Sequence, residues 1–173
     1  MTLYRATNVA LDTTTGFNAG TSITAASDVA MQLQLPSNQA IRLVEFGWSQ
    51  DAATSPLTQV KIQTSVTAST LSTALSTTSV KPVSNRDGRA SSLTMATTGT
   101  AVHQSGANVT PTSRTVIREI ADLYVPQVYE KLWPLGDPQT MVGGGQVAET
   151  ILQIVVKPSA TVNATFWLVW EEL

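Results

Sequence analysis

His103 is the residue on which catalysis or metal binding would depend, since it is the only histidine and the chain has no cysteine. One imidazole without thiolates cannot supply the ligands of a zinc or copper site. A serine nucleophile would need His103 as its base, yet no G-x-S-x-G elbow is present and His103 lies in a polar Gly/Ser segment. We therefore interpret it as a solvated loop side chain and predict no metal site.

Paired carboxylates are the second chemistry that the residue types permit. A glycosidase-type pair needs one acid with a raised pKa facing a second across the scissile bond. Glu119 and Asp122 are the best clustered acids, but a regular strand places them on opposite faces. We interpret them as solvated strand-edge residues or as partners of Arg114 and Arg118. The sequence thus predicts no enzyme and no cofactor, with a hydrolase as a distant alternative.

The tryptophans are the third group with functional potential. Trp48 and Trp170 share the parity of apolar neighbours, which predicts that both lie in the core. Trp133 lies in a segment bounded by proline and glycine, where exposure is easier. Because tryptophan is enriched at binding hot spots, Trp133 could be a sugar-stacking platform or an anchor between subunits. The structural alternative is that it caps one end of the fold.

Composition narrows the classes of function further. Charged residues make up 13% of the 173-residue chain and the net charge is -2, so the basic surface of a nucleic-acid-binding protein is missing. No apolar stretch approaches the roughly 20 residues of a membrane helix. The first residues do not resemble a signal peptide. We expect neither nucleic acid nor membrane as a partner.

The elements that must position these side chains are strands. Apolar and polar residues alternate in six stretches, at 29–35, 41–49, 57–66, 115–125, 146–156 and 161–171, with shorter β-like runs at 80–84 and 127–133. Such strands separated by turn residues predict one sandwich or barrel domain over residues 1–173. Residues 1–11 are an N-terminal arm or an edge strand. The polar stretches 64–79 and 96–113 are predicted loops, with one short helix around Leu71 and Leu75.

Alternation also predicts which side chains share a face. Within 41–49, it places Phe46 and Trp48 on one face and Ile41 and Leu43 on the other. Within 161–171, it groups the side chains of Val162, Ala164, Phe166, Leu168 and Trp170.

Several segments of the sequence are distinctive when they are taken together. They are Phe46-Gly47-Trp48-Ser49, a middle rich in serine and threonine, Val142-Gly143-Gly144-Gly145 before an apolar strand, and the closing run from Val162 to Glu172. The chain from about Ile41 onward resembles the small decoration (cement) or minor capsid proteins of tailed phages. The resemblance implies a single jelly-roll-like antiparallel β-sandwich with long polar loops. It also implies a homotrimer on the outer surface of an icosahedral head, made in the host cytoplasm, with the major capsid protein as its partner.

The surfaces expected to make these contacts are strand edges and loops, because the chain has scarce lysine to blunt its edges. The candidate interface residues are Leu3, Tyr4, Arg5, Arg86, Arg89, Tyr129 and Trp133. The alternative function is a carbohydrate-binding β-sandwich, free or on a virion, with Trp133, Tyr129 and Tyr124 as its stacking platform.

Overall fold

A computed structural model gives the architecture of the chain. It describes residues 2–8, 20–23, 28–35, 39–51, 57–66, 73–74, 80–82, 103–105, 116–134, 137, 140–143 and 151–173. These residues contain thirteen strands and no α-helix. The strands are β1 (Thr2–Thr7), β2 (Thr21–Ile23), β3 (Asp28–Gln34), β4 (Ala40–Gln50), β5 (Thr58–Ser65), β6 (Thr73–Ala74), β7 (Val80–Pro82), β8 (His103–Ser105), β9 (Val116–Val125), β10 (Val128–Leu132), β11 (Met141–Gly143), β12 (Ile151–Lys157) and β13 (Val162–Glu172).

The strands form two antiparallel sheets packed together, which confirms the predicted all-β sandwich. The first sheet has the order β10-β4-β13-β1-β7, with β11 also paired to β4 and β2 to β13. The second sheet has the order β6-β8-β3-β12-β5-β9. Side chains from both sheets meet in one apolar cluster, so the two layers share a single core.

The strands in the second half of the chain pair with those of the first half in reverse order. Strand β5 pairs with β9, β4 with β10, β3 with β12, and β1 with β13. Each of these pairs encloses the preceding one in sequence, and the innermost pair is β5–β9. The outermost pair joins the two ends of the chain, where Thr2 lies opposite Glu172.

A β-bulge in β4 changes the predicted arrangement of the core. Val169 of β13 faces Glu45, whereas Trp170 faces Leu43, so that Val44 has no opposite residue. One extra residue reverses the alternation. Ile41 and Leu43 before the bulge therefore point into the same core as Phe46 and Trp48 after it, and all four are buried. The prediction that these pairs lie on opposite faces is wrong.

The predicted core face of the last strand is confirmed. Val162, Ala164, Phe166, Leu168 and Trp170 all belong to the core. The ring of Trp48 stacks on Phe166, with centroids 5.9 Å apart, and the ring of Trp170 stacks on Tyr4 at 6.0 Å. Trp48 and Trp170 are thus buried structural residues, as predicted.

Residues 2–7 form a strand within a sheet. Strand β1 pairs with β13 on one side and, over Tyr4 to Ala6, with β7 on the other, so it is neither a free arm nor an edge strand there. Asn8 prolongs the pairing with its side chain, because its Nδ2 donates to the Ala164 carbonyl at 2.8 Å and its Oδ1 accepts from the Phe166 amide at 2.9 Å.

Short strands also occur inside the stretches predicted as loops. Thr73 and Ala74 form β6, so the helix predicted around Leu71 and Leu75 is wrong at positions 73 and 74. His103 opens β8 and lies opposite Leu33, which corrects its placement in a loop. Apart from strands β6, β7 and β8, residues 67–115 lie outside the described residues.

Candidate functional site

Strands β9, β10 and β11 lie together along one side of the sandwich, which we call the open edge. Only residues 126–127 separate β9 from β10. The guanidinium of Arg118 on β9 donates a hydrogen bond to the carbonyl of Met141 on β11. Among the described strands, β9 pairs only with β5, and β10 and β11 pair only with β4. The open edge therefore presents the last strands of both sheets side by side.

Apolar side chains are concentrated at the open edge. The described residues include nine large hydrophobic side chains that are exposed, and six lie on these three strands: Val116, Ile117, Tyr124, Val128, Leu132 and Met141. Tyr124, Val128 and Leu132 expose 66%, 69% and 65% of their surface. A concentration of exposed apolar side chains in one region marks an interaction surface in folded proteins.

The backbone of the open edge is poorly suited to accept another strand. Ile117 and Ile120 of β9 have no opposite residue on β5, so β9 carries two bulges. Strand β10 has five residues, and its Lys131 lies opposite the core residue Phe46, with Nζ 5.8 Å from the centroid of the Trp133 ring. Bulges, short strands and inward-pointing charges all oppose edge pairing. For β9 and β10, the expectation that the edges are little blunted is therefore wrong.

A polar cluster joins β5 to β9 beside the open edge. Lys61 Nζ lies 2.7 Å from Glu119 Oε2 and 3.0 Å from Asp122 Oδ2. Gln59 Nε2 donates to both carboxylate oxygens of Asp122, at 2.9 and 3.1 Å. Glu119 and Asp122 share one face because the bulge at Ile120 lies between them. This corrects their predicted separation and gives both carboxylates Lys61 as a partner, whereas Arg114 lies outside the described residues.

The electrostatics of the cluster favour its charged form. Hydrogen bonds from Gln59 and then Lys61 hold the pKa of Asp122 below its usual value. Hydrogen bonds to Glu119 and Asp122 raise the pKa of Lys61. A hydrolytic acid needs the opposite shift, a raised carboxyl pKa at neutral pH. The arrangement is that of an ion-paired clamp between two strands, at the margin of a groove of about 450 Å³ on the outer face of β5.

The predicted interface residues of β1 have structural contacts. Tyr4 is 1% exposed and stacks in the core, and Leu3 is half-buried. Arg5 is exposed, and its guanidinium carbon lies 4.8 Å from the centroid of the Trp167 ring on the outer face of the first sheet. These three residues lie on a strand separated from β10 by β13 and β4, so they do not join the open edge.

The predicted aromatic platform is dispersed. Trp133 is 8% exposed and belongs to the core, where its amide donates to the Val44 carbonyl at 3.0 Å. Tyr129 is half-buried against the same core, and Tyr124 alone of the three exposes its ring. A stacking surface built from all three is therefore absent. Arg86 and Arg89 lie outside the described residues.

The open edge contains residues that sequence reasoning overlooked. Alternation within 127–133 does not single out Val128 or Leu132, because it cannot say whether an apolar side chain faces a core or solvent, and Met141 lies outside every predicted strand. The sequence did contain a signal for this surface: within 116–132, apolar residues occupy both odd-numbered and even-numbered positions. That density is expected where a strand meets a core on one side and a partner on the other.

Two further features bear on the class of site. In the segments that the structure describes, no three histidine, cysteine, aspartate or glutamate side chains are grouped to hold a metal ion. Nor do those segments contain a helix with the length and apolar character that crossing a bilayer requires.

Comparison of the chain with protein-family models, curated proteins and solved structures found no match.

Proposed function

We propose that this chain is a structural virion protein, a decoration or cement protein on the outer surface of a phage head, without catalytic activity. The observation that carries the proposal is the open edge, because an apolar surface at the margin of both sheets suits a protein that acts by contact. The resemblance of the sequence to phage head proteins supports a phage head as the place where this contact is made.

The strand order supports a jelly roll as the finer description of the sandwich. The eight strands of the four nested pairs are β1, β3, β4, β5, β9, β10, β12 and β13. Numbered one to eight along the chain, they read 1-8-3-6 in one sheet and 2-7-4-5 in the other. A long hairpin rolled into two sheets has this order, which is the winding of a jelly roll.

The mechanism we propose is multivalent clamping. Copies assemble into a homotrimer, and each trimer bridges neighbouring subunits of the major capsid protein. Linked contacts of modest strength add up to a large avidity when their geometry lets them engage together. The low content of charged residues, 13%, is compatible with a surface that is largely covered in the assembled particle.

Proteomics of virions tests this proposal. Particles of the encoding phage, purified by density gradient, are expected to contain the chain in many copies per head. Brief protease treatment of intact particles is expected to remove it before the major capsid protein, since it lies outside the shell. A chain found only in the lysate and never in purified particles would overturn the proposal.

A further inference from the structure

We infer that the open edge is the surface through which copies of this chain contact one another, by packing of side chains and without continuation of either sheet. The inference rests on the proposed function, which needs several copies in contact. It concerns the mode of contact and the residues that make it, neither of which the proposed function specifies.

The side chains that protrude from β10 form the centre of this surface. Val128 lies opposite Ser49 and Leu132 opposite Glu45, two positions on the outer face of the first sheet. Both are exposed by about two thirds. Met141 of β11 lies opposite Arg42 on the same outer face and is also exposed, whereas the exposed ring of Tyr124 lies opposite Gln59 on the outer face of the second sheet. Large apolar and aromatic side chains of this kind supply most of the free energy at protein interfaces.

Strand addition is disfavoured as the mode of contact. The bulges at Ile117 and Ile120 interrupt the regular backbone of β9, and an added strand would need a regular ladder. On β10, Lys131 points inward, and continued pairing there would bury its charge further. An extended peptide is therefore a poor occupant, and a preformed folded surface is a better one.

The charges around the surface favour a second copy as that folded surface. Both signs occur on β5, β9 and β10: the basic residues are Lys61, Arg118 and Lys131, and the acidic residues are Glu119, Asp122 and Glu130. A balanced set is complementary to itself and gives no preference for a strongly acidic or basic partner. The net charge of -2 also leaves little repulsion between copies.

Paired lysine substitutions at the centre of the surface test the inference. In analytical ultracentrifugation at micromolar concentration, the wild-type chain is expected to be an oligomer. The double variant Val128→Lys/Leu132→Lys is expected to weaken its association constant by at least about tenfold, as loss of hot-spot contacts does. Both positions are exposed, so circular dichroism and the melting temperature should show an intact fold.

The matched control is Ser22→Lys, which adds a lysine at an exposed position on β2, separated from β10 by β13 and β4. It should leave the association constant unchanged. An oligomer that persists in the double variant would overturn the inference while leaving the virion proposal intact. A monomeric wild-type chain would also overturn it, and virion proteomics would then decide the proposed function separately.

A spin label gives a second readout that does not depend on the lysines. The chain has no cysteine, so Val128→Cys and Ser22→Cys each provide one labelling site. Upon assembly, the label at position 128 should lose mobility, whereas the label at position 22 should not. Equal mobility of the two labels in the oligomer contradicts the inference. Hydrogen exchange of β9 amides as slow as that of β12 would contradict the side-chain mode and indicate strand addition instead.

Discussion

Gly47 and Trp167 show how one residue determines the conformation of another. They lie opposite each other on β4 and β13, on the outer face of the first sheet. A Cβ atom added at Gly47 would lie 2.0 Å from two atoms of the Trp167 ring, so the indole lies flat across the glycine. The indole Nε1 donates to Glu45, which fixes the ring in this position. Sequence reasoning noted both residues in motifs but could not pair them, because they are far apart in the chain.

A double-mutant cycle tests this packing. We expect Gly47→Ala to lower the free energy of unfolding by about 1–3 kcal/mol, the usual cost of overpacking. In a Trp167→Ala background, the same change should be neutral or stabilising by about 0.5–1 kcal/mol, because alanine restricts the unfolded chain more than glycine. Urea denaturation of the four proteins measures both effects. Equal costs of Gly47→Ala in the two backgrounds would mean that the ring does not rest on the glycine.

Within a single strand, the prediction of which face is buried succeeds where the strand has no bulge and fails where it has one. Alternation assigned the core face of β13 because its inward residues keep one parity from Val162 to Leu168. It failed on β4 and β9, where single extra residues at Val44 and Ile120 reverse the parity. A bulge depends on the partner strand, and no local pattern in either strand specifies it. The same reason explains why the Lys61 cluster was not foreseen.

Because of the polar cluster on β5 and β9, we expect the free energy of unfolding to depend weakly on pH in the acid range. The pKa of Asp122 is lowered on folding, so its contribution is present above its unfolded pKa and is lost as pH falls through the folded value. Asp122→Asn should therefore destabilise the chain at neutral pH by less than about 1 kcal/mol, because these side chains are one third or more exposed. The difference should be lost in acid, once the pH is below the folded pKa of Asp122, which itself lies below the unfolded value.

Urea unfolding at neutral pH and in acid measures this difference. Glu130→Gln is the control, since it removes a carboxylate on β10 outside the cluster. A penalty for Asp122→Asn that is as large in acid as at neutral pH would show that the carboxylate acts by its shape and not by its charge.

We predict that Lys131 prevents strand β10 from pairing with the strands of other chains. Its side chain points inward from an edge strand and lies over the Trp133 ring. Lys131→Val removes the charge and makes the strand apolar on this face, so we expect light scattering to detect progressive aggregation. Lys131→Arg keeps the charge and its cation–π contact and should remain soluble. If the valine variant is as soluble as the arginine variant, the shortness of β10 protects its edge and this lysine does not.

For the whole molecule, the sequence predicted the class of fold but not its surface. Six alternating stretches were enough for an antiparallel sandwich, because each buries one face. They did not show that the outer face of β12 is also buried, as Ile151, Gln153 and Val155 are. Nor did they show that β9, β10 and β11 meet on one side. Both properties arise from contacts between distant segments, and such contacts are fixed only in the folded chain.

The nested pairing has a consequence for the order of folding. Strands β5 and β9 can pair first, whereas β1 must wait for β13, which is the last strand of the chain. During synthesis, the apolar residues of β1, β3 and β4 therefore emerge from the ribosome before their partners exist. Folds dominated by such distant pairings close slowly, in milliseconds to seconds. The chain is accordingly expected to be most vulnerable to chaperone capture and misassembly while it is still being made.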